Sequence, residues 1–193
     1  DAIVAGAQLV TALQTISSRR TSPTEPVVVT VGSFHSGTAG NILPEEAKLT
    51  GILRTMGGQA RERVKEDFRT ITAGIAAAMG VEAEMEIFES YPGCRNDPAM
   101  TDLLRRAAAK VLGGENVLEL ADPSLGTDDF GYFSDAAPGC YYYIGVGNAA
   151  KNFTCPNHNP RFAADPDALP LSAAVEAQAA LDFLADGGRR AAR

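Results

Sequence analysis

The sequence is short of histidine and cysteine. It has two histidines, His35 and His158, and three cysteines, Cys94, Cys140 and Cys155, in 193 residues. Three scattered cysteines do not make a disulfide framework and point to a reducing, cytoplasmic compartment. There is no run of 18 apolar residues, so no transmembrane helix is expected. No basic start leads into an apolar stretch, so no signal peptide is read either. Without one, Asn152-Phe153-Thr154 is an accidental glycosylation sequon. Positive charge is also scarce. Lys plus Arg number 17 against 24 Asp plus Glu, a net charge of -7, which argues against nucleic acid or an anionic membrane as the main partner. No G-x-S-x-G is present, so a serine-hydrolase elbow is excluded. No G-x-G-x-x-G or G-x-x-x-x-G-K-[ST] loop supports nucleotide binding. A catalytic zinc site takes three protein ligands, and two distant histidines outside any H-E-x-x-H grouping do not complete one. An initiator methionine is missing too. Asp1 opens directly on a helical pattern, as expected of a segment of something longer.

What is present is globular, with 45% apolar residues. Ile3, Ala7, Val10, Leu13 and Ile16 step along one face of a helix over residues 2–18. The β-branched run Val27–Val31 predicts a strand, and residues 47–55 predict a second strand antiparallel to it. Val64, Phe68, Ile71, Ile75 and Met79 mark an amphipathic helix that Gly80 closes. Residues 81–87 alternate apolar with Glu82, Glu84 and Glu86, the pattern of a half-exposed strand. The order α-β-β-α-β is a split βαβ sandwich without its first strand. Tyr91-Pro92-Gly93 marks a boundary, which puts one domain at 1–93 and a second at 94–193. The second predicts a helix over 103–112, a short strand at 117–120, a short helix after Gly126, a strand buried on both faces at 140–146 and an Ala-rich helix at 170–185 with a frayed Arg-rich end. This reads as part of an α/β layered domain whose parallel strands need further partners.

Few residues could carry chemistry. His158 lies in Cys155-Pro156-Asn157-His158-Asn159-Pro160, a loop after the apolar strand, where α/β sheets place ligand-binding groups. Its imidazole is either a surface side chain or a metal ligand. Cys155-x-x-His158 is half of a zinc-type site with no second pair, and Cys155 reads as a packed or partly exposed thiol. In Gly126-Thr127-Asp128-Asp129, helix capping is the default role for Thr127 or Asp128, with ligand binding the alternative. Asn41 sits in the turn between the two first strands, where an Asn usually bonds its own backbone. Arg54, near the end of the second strand, either covers an exposed sheet face or grips a carboxylate with its fork.

Several segments occur together in one order: Val29–Pro44 with His35 and Asn41, Leu49–Thr55 with Arg54, Tyr91-Pro92, Asn96-Asp97-Pro98, Gly126–Phe130, Pro138-Gly139, and His158–Phe162 followed by Asp167 and Leu169-Pro170. In these the chain resembles the M20 metallopeptidase family, in its amidohydrolase branch of hippurate hydrolase-like, N-acyl-amino-acid and auxin-conjugate hydrolases. The resemblance implies an α/β fold: a split-βαβ (ferredoxin-like) lid, here without its first strand, followed by the C-terminal part of a zinc-peptidase-like catalytic domain. It implies a metal-dependent amidohydrolase or peptidase cleaving the amide of an N-acyl amino acid or small conjugate. The cofactor would be a divalent ion (zinc, manganese, cobalt or nickel), two in the intact enzyme. His158 matches a metal ligand, Asn41 and Arg54 match lid residues that contact substrate, and Gly126, Thr127 and Asp128 match a loop lining the active site. His35 is given no catalytic role. The general base and the other ligands would lie upstream, making this chain a partial enzyme. The resemblance further implies a homodimer joined through the lid. Alternative readings are a dimerising or binding fragment and a homologue that has lost catalysis. The chain departs from the family pattern at Ile42-Leu43, at Asp128 where Glu is usual, and at Asn159 where Ser follows the metal histidine.

Overall fold

In a computed structural model, residues 1–186 are described. The expected frayed, Arg-rich end falls largely on residues 187–193, outside the described residues. The architecture is mixed α/β with a small sheet: α1 (Ala2–Leu13), β1 (Val27–Ser36), β2 (Ala47–Thr55), α2 (Gly58–Met79), α3 (Pro98–Leu112), α4 (Phe130–Ala136) and α5 (Ala168–Ala185). The chain divides into two compact units. One comprises Asp1–Gly93 with Ser124–Thr127, the other Cys94–Pro123 with the chain from Asp128 onward.

In the first unit, β1 and β2 form an antiparallel ladder that pairs Val29 with Leu53 and Val28 with Arg54. The register slips between Val31 and Ser33, a bulge at Gly32. Val27, Val29, Val31 and Leu53 join Leu13, Ile16, Val64 and Ile71 in the core, so one sheet face is covered by α1 and α2. Alternation then turns Val28, Ile52 and Arg54 to the opposite face. Asp1 caps α1, its Oδ1 accepting from the Ile3 and Val4 amides at 3.0 and 3.2 Å.

The buried face of α1 differs from the one expected. Ala5, Gly6 and Leu13 are buried, whereas Ile3 and Ala7 are exposed. The helix is apolar nearly all round, so periodicity alone offers two stripes. The stripe with the small residues wins because a Cβ on Gly6 would lie 2.6 Å from Cζ of Phe34: only a bare backbone admits that ring. A five-residue π turn, Ile16–Arg20, follows and buries Ile16 completely. In α2 the expected stripe holds, and Gly80 ends the helix in the left-handed region at φ 63°.

Residues 81–87 have no ladder partner among the described residues. Val81, Met85 and Ile87 are half-buried and the three glutamates exposed, but Ala83 is exposed too, so the period of two survives only in part without a strand. Just beyond it, residues 89–91 are held to α2 by side chains. Lys65, buried, bonds Glu62 and Glu89, and Arg61 Nη2 donates to the Tyr91 carbonyl at 2.9 Å.

The second unit is built on α3 against α5. Leu103, Ala107, Ala108 and the fully buried Val175 are its buried apolar residues, and the alanines allow close helix approach. Asp97 caps α3 through Met100 N at 2.9 Å, with Pro98 in the first turn. Lys110 donates to both Asp182 oxygens at 2.7 and 2.8 Å. By length and composition, α5 is apolar enough to cross a membrane, contrary to the expectation that no segment is. Its Ala content offsets Glu176 and Asp182 in the average. The strands expected at 117–120 and 140–146 are likewise unpaired among the described residues. Nor is the second buried on both faces, since Tyr143 is 59% exposed. The Asn96 side chain serves the Tyr141 backbone in place of a strand neighbour: Nδ2 donates to its carbonyl at 2.8 Å and Oδ1 accepts from its amide at 2.7 Å.

Candidate functional site

The first unit brings Arg54 to the Gly126-Thr127 segment. From the sheet face opposite the helices, Arg54 Nη1 donates to the Leu125 carbonyl at 2.7 Å. Leu125 immediately precedes Gly126, whose amide donates to Ser124 Oγ at 3.0 Å. Gly126 and Thr127 are exposed and Arg54 is half-buried. The Leu125 bond uses one of the five donors of the guanidinium fork. Asn41 is exposed in the turn after β1, next to Ile42, whose amide donates to the Ala39 carbonyl at 3.2 Å.

In the second unit, Asp128 is committed twice. Its Oδ1 accepts from Phe130 N at 2.9 Å at the start of α4, and its Oδ2 accepts from the Tyr141 hydroxyl at 3.2 Å. Burial, and then this bond, push the Tyr141 phenol above its usual range, which keeps it a donor. Its ring lies 5.5 Å from that of Phe130 and 5.6 Å, edge-on, from that of Tyr143. Asp128 therefore sits one residue before the cap position of α4, which is Asp129, and is joined to an aromatic cluster.

His158 is exposed, with its backbone in the left-handed region at φ 66°. A non-glycine residue there costs about 1–2 kcal/mol and persists where the surroundings enforce it. Around it, Asn159 N donates to the Pro156 carbonyl at 3.2 Å and Phe162 N to the Asn159 carbonyl at 2.9 Å. Among the described residues no three His, Cys, Asp or Glu side chains converge as a metal group. His158 fits a divalent ion as a single imidazole donor and not as part of an assembled set. Cys94, Cys140 and Cys155 are all free thiols.

The sequence reading missed the base of the His158 loop. Asp165 is 6% exposed and receives hydrogen bonds from Asn148, Lys151 and the Asp167 amide. The signal available was an acidic residue between two alanines and a proline, which composition does not distinguish from a solvated turn.

A helix-backed hairpin in the first unit and a helical second unit make a mixed α/β fold with a small sheet. The chain belongs to peptidase family M20/M25/M40, whose profile matches residues 4–182. It is 33% identical over 184 residues to thermostable carboxypeptidase 2 of Saccharolobus solfataricus, covering 95% of this chain and 46% of that protein. It is 34% identical over 175 residues to N-acetyldiaminopimelate deacetylase of Streptococcus suis, covering 89% and 44%. Among solved structures it is similar to the YXEP protein of Bacillus subtilis, a dinuclear metal binding peptidase from the M20 family, with a TM-score of 0.77 and 29% identity over 95% of this chain and 46% of that one. The chain therefore spans about half the length of the curated relatives it matches.

Proposed function

We propose that this chain is the substrate-gripping part of a metal-dependent amidohydrolase that cleaves N-acyl amino acids, and that it contributes one metal ligand. The observation that carries the reading is the Arg54–Leu125 bond, which sets a cationic fork beside the Gly126-Thr127 segment. Arg54 would grip the carboxylate of the amino-acid part through two parallel charge-assisted bonds. Asn41 would contact the acyl amide, and Gly126, Thr127 and Asp128 would belong to a loop that meets substrate. His158 would be one ligand of a divalent ion (zinc, manganese, cobalt or nickel), one of two in the whole enzyme. When bound, such an ion supplies carbonyl polarisation and an acidified water. The general base belongs to residues outside this chain, so the chain alone is a partial enzyme. In this reading residues 1–93 are a split-βαβ lid and residues 94–193 the C-terminal part of the catalytic domain. Deacetylases acting on N-acetylcysteine and N-acetyldiaminopimelate among the relatives favour a small N-acyl amino acid as substrate. The three unpaired thiols favour a cytoplasmic location.

Hydrolysis of N-acetyl amino acids in the presence of Zn2+ or Mn2+ tests this. The chain alone is expected to be inactive, and a family-length protein containing it active. In that protein Arg54→Ala is expected to raise KM about ten- to a hundredfold, the cost of roughly 1.5–3 kcal/mol for a lost charged hydrogen bond, with a smaller change in kcat. An unchanged KM for carboxylate-bearing substrates, with the amide of the same substrate also cleaved, contradicts the role given to Arg54.

A second reading, homodimerisation through the lid, is favoured by the hairpin, whose outer edges have no strand partner among the described residues and whose Ile52 and Met56 are exposed. A concentration-independent monomer in analytical ultracentrifugation would rule it out.

A further inference from the structure

We infer that Asp165 is a positioning residue for His158: its buried carboxylate clasps both ends of the loop that carries the histidine. The inference rests on the reading of His158 as a metal ligand for its functional meaning, and on the geometry of the loop for its substance.

The loop leaves the apolar segment at Val146 and returns at the first turn of α5. At its base the Asp165 amide donates to the Val146 carbonyl at 2.9 Å. Its Oδ2 accepts from Asn148 Nδ2 at 2.6 Å, and its Oδ1 from Lys151 Nζ at 3.1 Å and from the Asp167 amide at 3.2 Å. Asn148 also exchanges both backbone bonds with Phe153, each 2.9 Å. Between these residues lies a tight turn, Ala149–Lys151, closed by Asn152 in the left-handed region at φ 65°. One carboxylate thus joins the outgoing chain, the turn after it and the returning chain.

Among the described residues, the far end shows no such anchor in its own bonding. The bonds found around His158 run within residues 156–162: Asn159 to Pro156, Phe162 to Asn159, and Arg161 N to Asn159 Oδ1 at 2.9 Å. They shape the turn but do not tie it to the unit. A left-handed histidine that is exposed needs a fixed frame, and that frame closes at Asp165. A carboxylate suits this place better than an apolar side chain. Removed from water, it is stable only with its donors in place, so it specifies one arrangement of the loop ends. Lys151 also pairs with Asp167, but Asp167 is exposed and is the weaker anchor.

The two histidines lie in different units, which makes the test internal to one sample. The 15N order parameter of the His158 amide is measured in this chain, with His35 as the control. The wild-type value is expected near 0.85, and Asp165→Ala is expected to drop it below about 0.6 while His35 stays unchanged. The exchanged pair Asn148→Asp with Asp165→Asn swaps amide and carboxylate, and is expected to restore order. Asp167→Asn is expected to leave it unaltered. A rigid His158 in Asp165→Ala, with α3 and α5 intact, overturns the inference. Where Asp165→Ala disrupts those helices, the exchanged pair decides: recovery of a rigid His158 supports the clasp, and a mobile His158 on an intact helix pair overturns it. Mn2+ titration separates this from the ligand reading. Selective broadening of the His158 imidazole signals, in wild type, tests the ligand alone. A clasp that holds while Mn2+ leaves that imidazole sharp removes the function and keeps the positioning; broadening without any effect of Asp165→Ala does the reverse.

Discussion

Arg54 pairs across the ladder with Val28, on the face that α1 and α2 leave free, and its cation is half-buried. Sequence alone left it two roles, covering the sheet face or gripping a carboxylate; in the structure its fork donates to the Leu125 carbonyl beside Gly126. Asp128 went the other way. Capping was its default from residue type, but the cap position of α4 falls on Asp129; Asp128 instead accepts from Phe130 N two residues on, and its bond to Tyr141 was invisible because the partner is 13 residues away. The Asp165 clasp was hidden for the same reason. Its acidity is a matter of who faces it: Asn148, with Lys151 behind it, holds the carboxyl below its usual range, and Asp167 with Asp165 holds the Lys151 ammonium above its own. A carboxyl depressed on folding adds stability above its unfolded pKa of about 3.9, and that stability is lost as pH falls through the lower folded value. A raised lysine adds stability below about 10.4, lost as pH climbs through the higher folded value. Hydrogen exchange over residues 146–168, normalised for its intrinsic pH dependence, should show constant protection across the neutral range and weakening at both extremes. In Asp165→Asn the acid-side weakening should disappear. A profile identical in the two proteins would contradict the account.

At the scale of elements, helices were far more legible than strands. A helix satisfies its own backbone, so the stripe of Val64, Phe68, Ile71 and Ile75 suffices to reveal it. A strand is completed by its neighbour, and residues 81–87, 117–120 and 140–146 carry the right alternation or β-branched character with no ladder among the described residues. The hairpin is the exception because both its strands are adjacent in the chain. Its close approach depends on Gly51, where an added Cβ would lie 2.1 Å from the Thr30 carbonyl oxygen. Gly51→Ala is therefore expected to destabilise the first unit by about 3 kcal/mol, at the upper end for an overpacked site, since backbone and not a pliable side chain must yield. Denaturant unfolding would measure it, and a midpoint equal to wild type would be the contrary result. In the second unit, Asp97→Ala removes the bond to Met100 N and is expected to cost about 1 kcal/mol of α3 stability, with Asp97→Asn nearly neutral.

For the whole molecule, the family was legible because its motifs are local and ordered along the chain, and the profile match over residues 4–182 bears this out. The site was less so. The residues proposed for it come from segments far apart in sequence, and a single imidazole, without converging partners among the described residues, has no spacing pattern to read. The chain spans about half its relatives' length, and the functional reading proposed for it turns on His158 as a metal ligand. The most direct test is therefore the metal content and N-acetyl amino acid hydrolysis of a family-length protein containing this chain, wild type against His158→Ala. Loss of bound metal together with a fall in kcat/KM of at least about a hundredfold, the scale expected when a metal's chemistry is removed, is the predicted result. Unchanged metal stoichiometry with unchanged hydrolysis would contradict it.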